Sequence, residues 1–388
     1  MIPAPTRHAP LARPDEGAFH RHELAVLGAP CAVIADLVTR LAAALAPALR
    51  LAYVDADHGP ANRNGSADES AVAPAAVLTA VAPGWRLDTA ADPAPAARRA
   101  LLAAQSLALV NGNHFGARQQ VVLLYPRKPL DHEFDRLTDV RLILHPADQP
   151  ALPAALRAHL GTAADAVPRL VLTDTAAIAA WVRRWYAAAR PPVRGLVLAG
   201  GASERMQTDK SRLRYHGAEQ RQHVATLLAP FCEEVFVSGR AEQLTDLPTP
   251  LRALPDQFLG LGPMGGLLTA FRHDPNAAWL VVACDLPFLT APSLGRLLAG
   301  RDAGRVATAF RDPATGWPEP LVALWEPRAY GVLLGALGQG RSCPRKVLIN
   351  ADPALLDPGA PAELRNVNTP DERAAAEREL RARPPAGT

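Results

Sequence analysis

The sequence predicts an α/β protein of two domains, each a mostly parallel sheet with helices on both faces, and three observations carry that reading. The chain has 388 residues, about two to three times the usual domain length, so more than one hydrophobic core is expected. Short continuous apolar runs alternate with helix-like stretches, the pattern of parallel strands covered on both faces and joined by crossover helices. Near the middle, Arg190-Pro191-Pro192 stops a helix and opens an extended connection. The domains expected from this break are residues 1–190 and 191–388.

In the first half, Leu24–Leu27 reads as a strand, Ala32–Leu45 as a helix and Leu51–Asp55 as a second strand. After a polar stretch from Gly59 to Glu69, further strands are expected at Leu107–Val110, Gln120–Leu124, Val140–Leu144 and Leu170–Leu172, and a helix at Asp174–Ala189. The second half restarts the same logic with a strand at Gly195–Ala199. Strands follow at Val235–Ser238, Trp279–Ala283, Val306–Phe310 and Leu321–Trp325, with helices between them and a charged helix over 371–381.

Composition narrows the classes. Hydrophobic residues make up 49% and charged residues 20%, as in a folded globular chain. The net charge is only +3, from 41 basic and 38 acidic side chains, so no long-range field points to nucleic acid or a membrane surface, and any phosphate site must be local. Lys128, Lys210 and Lys346 are the only lysines in an arginine-rich background, which makes each a candidate for a compact point charge. Cys31, Cys232, Cys284 and Cys343 are widely spaced and form no C-x-x-C pair, so they read as four buried thiols in a reducing compartment. Proline, histidine and charge interrupt residues 1–23, and no run reaches transmembrane length, so a cytoplasmic location is expected.

The chemistry concentrates after residue 194. Leu198-Ala199-Gly200-Gly201-Ala202-Ser203-Glu204-Arg205-Met206-Gln207-Thr208-Asp209-Lys210 follows a predicted strand directly, so its loop lies at the carboxyl end of the sheet, where α/β ligands bind. Gly200 and Gly201 let the backbone approach an anion and aim N–H groups at it, and Arg205 and Lys210 supply cations suited to a triphosphate. A second strand, Trp279–Ala283, runs into Cys284-Asp285-Leu286-Pro287-Phe288. A carboxylate at the end of a central strand must be solvated or hold a cation, which singles out Asp285. Asp256, with Gly260, Gly262, Pro263, Met264, Gly265 and Gly266, precedes a helix whose amino end offers N–H groups to a nucleotide.

Together L-A-G-G-x-S-x-R-M-x-x-D-K, the D-x-x-x-G-x-G-P segment at Asp256, C-D-x-P-F at Asp285 and Asn366-Val367-Asn368-Thr369-Pro370 resemble the molybdenum cofactor guanylyltransferases and related sugar or alditol phosphate nucleotidyltransferases, over about residues 194–372. Gln207 stands where that family usually has glycine. The resemblance implies a Rossmann-like nucleotidyltransferase fold, GTP as donor, molybdopterin as acceptor, Mg2+ as cofactor and molybdenum cofactor biosynthesis proteins as partners. It implies nucleotide contacts at Leu198, Ala199, Gly200, Gly201, Lys210, Ser238, Asp256, Gly262 and Pro263, catalytic roles for Lys210, Arg205 and Asp285, and magnesium at Asp285 with support from Asn368. Thr369-Pro370 reads equally well as a helix cap. Glu319-Pro320-Leu321 and Ser342–Lys346 resemble the acceptor side, with Arg345 and Lys346 as candidate phosphate contacts. Cytidylyl transfer, another phosphate acceptor, or a non-catalytic nucleotide-binding regulator are the alternatives.

The first half carries Leu24-Ala25-Val26-Leu27-Gly28-Ala29-Pro30-Cys31, a strand-loop-helix opening without the G-K-[ST] that a phosphate loop needs. Val54-Asp55-Ala56-Asp57-His58 and Val110-Asn111-Gly112-Asn113-His114 sit at strand ends. These segments resemble degenerate versions of those in molybdopterin guanine dinucleotide accessory GTPases. Asp55, Asp57, His58 and His114 read either as a metal set or, more plainly, as polar strand-end residues. A folded, non-hydrolytic domain that binds a partner, a cofactor or its own transferase domain is expected.

Overall fold

The computed structural model describes residues 11–56, 76–81, 84–89, 92–128, 130, 133–200 and 210–382. The chain forms two compact units, one of Glu16–Ala189 and one of Arg190–Thr388 together with Met1–Asp15.

The unit of Glu16–Ala189 is built on a six-stranded parallel sheet. Its elements run β1 (Glu23–Leu27), α1 (Cys31–Leu45), β2 (Leu51–Val54), β3 (Ala76–Val81), β4 (Gly84–Thr89), α2 (Pro95–Leu102), β5 (Leu107–Asn111), β6 (Gln119–Leu123), β7 (Val140–His145), α3 (Ala154–Leu160), β8 (Arg169–Val171) and α4 (Thr175–Ala188). The strand order is β2-β5-β1-β6-β7-β8, and β3 and β4 form a separate antiparallel pair that the sequence reading did not anticipate. All five residues of β1 and of β5 are buried. Side chains alternate between faces along a strand, so both faces of the sheet are covered. Helix α1 buries Ile34, Leu37, Val38, Leu41 and Leu45, a spacing that lays one stripe against the core. Asp174 caps α4 by accepting from the Ala177 N–H at 2.9 Å. Gly28 turns the chain from β1 into α1 with φ of 92°, and a Cβ there would lie 2.4 Å from the Leu123 carbonyl oxygen.

The other unit holds β9 (Val193–Leu198), α5 (Gln220–Leu228), β10 (Val235–Gly239), β11 (Arg252–Pro255), α6 (Pro263–His273), β12 (Ala278–Ala283), α7 (Ala291–Ala299), β13 (Ala307–Arg311), β14 (Pro318–Trp325), α8 (Ala329–Gly338), α9 (Pro344–Ile349), β15 (Ala354–Leu356) and α10 (Pro370–Ala382). The sheet order is β11-β10-β9-β12-β14-β13-β15. Only β14 runs antiparallel to its neighbours, because the connection from β13 is a short turn and a parallel return needs a crossover. Trp279 and Trp325 face each other across β12 and β14, both fully buried. Their indole N–H groups donate to the carbonyls of Asp274 and Pro320, each at 3.1 Å. Beneath the sheet edge, Arg301 makes a bidentate pair with fully buried Glu326 at 2.6 and 2.9 Å. The amino-terminal segment belongs here: Asp15 N–H donates to Asn276 Oδ1 at 2.6 Å, and Asn276 Nδ2 donates to the Arg13 carbonyl at 3.0 Å. Among the described residues no helix is long and apolar enough to cross a membrane.

Candidate active site

Four strand ends meet at the carboxyl edge of the second sheet. The parallel register sets Ser238 of β10 and Ala283 of β12 on either side of Leu198 in β9. The residues just beyond these strands therefore converge on one cleft, open to solvent, of about 690 Å3. Leu198, Ala199, Gly200, Lys210, Ser238, Asp256, Gly262, Pro263 and Asp285 line it, so nine of the residues singled out from the sequence come together. Gly201, Arg205 and Gln207 lie outside the described residues.

The surroundings of this cleft leave little room for a side chain at Gly200 and none at Gly266 without a shift. A Cβ on Gly200 would stand 3.1 Å from Asp256 Oδ2, and one on Gly266 would meet Leu198 Cδ2 at 2.6 Å and Ser238 Oγ at 2.8 Å. Gly262 adopts φ of 56° at the entrance to α6, and Pro263 occupies the first turn. The amino end of that helix thus opens onto the cleft with its N–H groups and positive dipole end.

Two carboxylates define the cleft's polarity. Burial pushes the Asp256 carboxyl above the ordinary carboxylate value, and a short hydrogen bond from Ser238 Oγ works against that shift. Burial likewise raises Asp285, and the Lys210 ammonium opposes it from 3.8 Å. Asp285 Oδ1 is buried and has no hydrogen-bond partner among the described residues. An orphaned hard oxygen at a sheet edge, with a cation beside its twin oxygen, suits a magnesium ion. Among the described residues no three His, Cys, Asp or Glu side chains gather as a complete cage. The donor set therefore fits an ion that takes one protein carboxylate and completes its shell from phosphate oxygens and water.

Asn368 joins the cluster through Lys210, whose Nζ donates to Asn368 Oδ1 at 2.6 Å. The 366–370 segment is also fixed to the loop that carries Asp285, with Val367 N–H donating to the Asp285 carbonyl at 2.8 Å. Thr369 and Glu372 form reciprocal cap contacts at the start of α10: Glu372 N–H donates to Thr369 Oγ1 at 3.3 Å, and Glu372 Oε2 accepts from the N–H groups of Asn368 and Thr369 at 2.6 and 3.1 Å. The segment thus caps α10 and also reaches the cleft through the Lys210–Asn368 contact.

Some expectations need correction. Arg194, the first residue of the motif-bearing region, sits near the amino end of β9, away from the cleft, where it pairs with Asp274 at 2.7 Å and with Glu234. Arg345 is engaged by Glu319 Oε2 at 2.6 Å and by Asp312 at 3.8 Å, and Lys346 is exposed. Glu319, raised by burial, also accepts from Leu321 N–H at 3.0 Å, so the Arg345 pair fixes the strand that brings Leu321 to the cleft. The cysteines are not uniformly buried: Cys284 is, Cys31 and Cys232 are half-buried, and Cys343 is exposed. Ser211, Ala283 and Cys284 line the cleft without having been singled out for it. Their adjacency to Lys210 and Asp285 was the available signal.

The MobA-like NTP transferase domain model matches residues 195–354. A molybdenum cofactor biosynthesis bifunctional protein from Synechocystis is 38% identical over 184 residues, covering 47% of this chain and 52% of that protein. A probable molybdenum cofactor guanylyltransferase from Chloroflexus aggregans is 32% identical over 193 residues, covering 46% of this chain and 90% of that protein. The solved structure of molybdopterin-guanine dinucleotide biosynthesis protein A from Archaeoglobus fulgidus aligns at 25% identity with a TM-score of 0.42, over 48% of this chain and 98% of that one. The chain thus spans about half the length of the first of these relatives and nearly all of the second.

Proposed function

The chain belongs to the MobA-like NTP transferase family, and from that premise we propose that it is a magnesium-dependent guanylyltransferase, transferring GMP from GTP to molybdopterin cofactor with release of pyrophosphate. The observation that carries the chemistry is the orphaned Asp285 Oδ1, whose twin Oδ2 lies 3.8 Å from Lys210 Nζ, in a cleft lined by glycines. The choice of donor and acceptor rests on the likeness to the Chloroflexus aggregans protein, a probable molybdenum cofactor guanylyltransferase.

In this mechanism the acceptor's phosphate monoester attacks the α-phosphorus. Its second pKa is about 6, so it arrives largely dianionic at neutral pH and needs no protein base. Positioning and charge neutralisation then supply the catalysis. Gly200 and Gly201 bring backbone N–H groups to the phosphates, and Arg205 adds a cation to them. Lys210 binds the α-phosphate and the charge that develops on it, held in place by Asn368. Asp256 and Ser238 form the nucleoside end, with Gly262 and Pro263 presenting the start of α6. Magnesium, held by Asp285, supplies charge neutralisation across the triphosphate when bound. Leu198 and Leu321 give the cleft an apolar wall.

Magnesium-dependent pyrophosphate release by Lys210→Ala and Asp285→Ala tests the assignment. Each is expected to lose on the order of 10²-fold or more in rate. Near wild-type turnover in both would sink it.

A further inference from the structure

The unit of Glu16–Ala189 lacks phosphate-loop chemistry, yet the place where that chemistry would stand is occupied. Cys31 is the first residue of the 15-residue helix α1, directly after the β1 loop. Its Sγ lies 3.2 Å from His114 Nε2, which comes from the turn after the adjacent strand β5. In the tautomer protonated at Nδ1, Nε2 accepts the thiol proton. A third side chain completes the arrangement: Asn113 Nδ2 stands 3.6 Å from Sγ and also donates to the Ala29 carbonyl at 3.0 Å.

The orientation of that amide is fixed by one of the chain's three lysines. Lys128 Nζ donates to Asn113 Oδ1 at 2.6 Å and is itself held by Glu133 at 2.8 Å. With Oδ1 so engaged, the NH2 group must face the sulfur. Arg136 pins the same turn by donating to the carbonyls of Gly112 and Asn113 at 2.7 and 2.8 Å. Asp55, just past β2, is within electrostatic reach of His114 and accepts from Tyr53 Oη and Asn111 Nδ2 at 2.7 and 2.8 Å. The thiol therefore meets an imidazole, an oriented amide N–H and a helix amino end at once. The imidazolium formed by proton transfer, the amide and the helix dipole all favour negative charge on sulfur. The other cysteines differ: burial pushes the Cys232 thiol up to about 12, and Cys343 is exposed at the start of the short helix α9.

We propose that Cys31 and His114 form a thiol–imidazole site that reacts with small disulfides by thiol–disulfide exchange. Cys31 Sγ gives its proton to His114 and attacks one sulfur of the disulfide. The S–S bond breaks as the new Cys31–S–S bond forms, and the departing thiolate takes the proton back from His114. A thiol and a disulfide give a mixed disulfide and a thiol, with no net oxidation. Half-exposure of Cys31 admits a small disulfide.

The full-length protein is incubated with glutathione disulfide over pH 5.5–9, with modification at each cysteine followed by peptide mass spectrometry. Cys31 is expected to react roughly tenfold or more faster than the more exposed Cys343 at neutral pH. His114→Gln is expected to bring Cys31 to the rate of Cys343, and Lys128→Met to slow it to a lesser extent. The wild-type comparison of the two cysteines needs no variant, so it stands even where a substitution disturbs folding. Cys31 reacting no faster than Cys343 across the range would overturn the proposal, as would an unchanged Cys31 profile in folded His114→Gln.

Discussion

Replacing Asp285 by asparagine should make the protein more stable and less active, and the two effects separate the site's chemistry from its packing. Burial holds the Asp285 carboxyl above its ordinary value, while Lys210 at 3.8 Å pulls it down without reversing the shift. At that separation the raw attraction of a partly buried pair is about 4 kcal/mol, so the desolvation it fails to offset is at least comparable. A carboxyl whose folded pKa lies above its unfolded one favours the fold while protonated, and that contribution is lost as pH rises through the folded value. The asparagine variant keeps the shape without the charge. Its advantage should be small near pH 4, grow as pH climbs from the ordinary carboxylate value to the raised one, and level off above that at about 0.5–2 kcal/mol by pH 8. For a unit of this size, 1 kcal/mol corresponds to about 2–4 °C in Tm. Differential scanning fluorimetry without divalent cations, at pH 4.5 and 8, reads this directly. Magnesium with GTP should stabilise the wild type and not Asp285→Asn, whose turnover falls on the order of 10²-fold or more. Equal Tm values at pH 8, or a variant less stable than wild type there, would refute the reasoning that Asp285 is a desolvated carboxylate kept for a ligand.

Other perturbations probe neighbouring parts of the account. Ser238→Ala removes the donor to buried Asp256, so it should raise that carboxyl further and destabilise by about 1–3 kcal/mol at neutral pH, in urea titrations that show a smaller loss near pH 4. Gly266→Ala places a methyl 2.6 Å from Leu198 Cδ2 and 2.8 Å from Ser238 Oγ. It should weaken nucleotide binding by about tenfold or more, at a packing cost of about 1–3 kcal/mol, measurable by titration calorimetry. Arg301→Ala leaves fully buried Glu326 without its bidentate partner and should cost about 3–5 kcal/mol in chemical denaturation, with little effect on nucleotide affinity in the fraction that remains folded.

Much of the second unit was legible because its signals are local. The strand over 195–199 and Gly200 after it, the strand ending at Asp285, and the Pro263 helix start each follow from residue pattern alone, and the structure places them at one sheet edge. The antiparallel direction of β14 depends on the tight turn after β13, which apolar periodicity does not encode. Strand β11 was missed because Arg252–Pro255 is short, mostly exposed and proline-ended. The hairpin of β3 and β4 was missed although Pro83-Gly84 marks its turn. Arg194 is close to the motif in sequence, but the length of β9 carries it to the opposite end of the sheet. In the first unit the strands and α1 could be read, but the meeting of Cys31, Asn113, His114 and Lys128 required the sheet order, because adjacency of β1 and β5 is a property of topology.

The central claim is guanylyl transfer at the Lys210–Asp285 cleft, and following the α-phosphate tests it most directly. With α-labelled GTP, magnesium and molybdopterin cofactor, the account predicts label appearing on the acceptor in step with one pyrophosphate released per transfer, and loss of both in Lys210→Ala. Label transferred from CTP in preference to GTP, release of inorganic phosphate in place of pyrophosphate, or nucleotide binding with no transfer at all would contradict it.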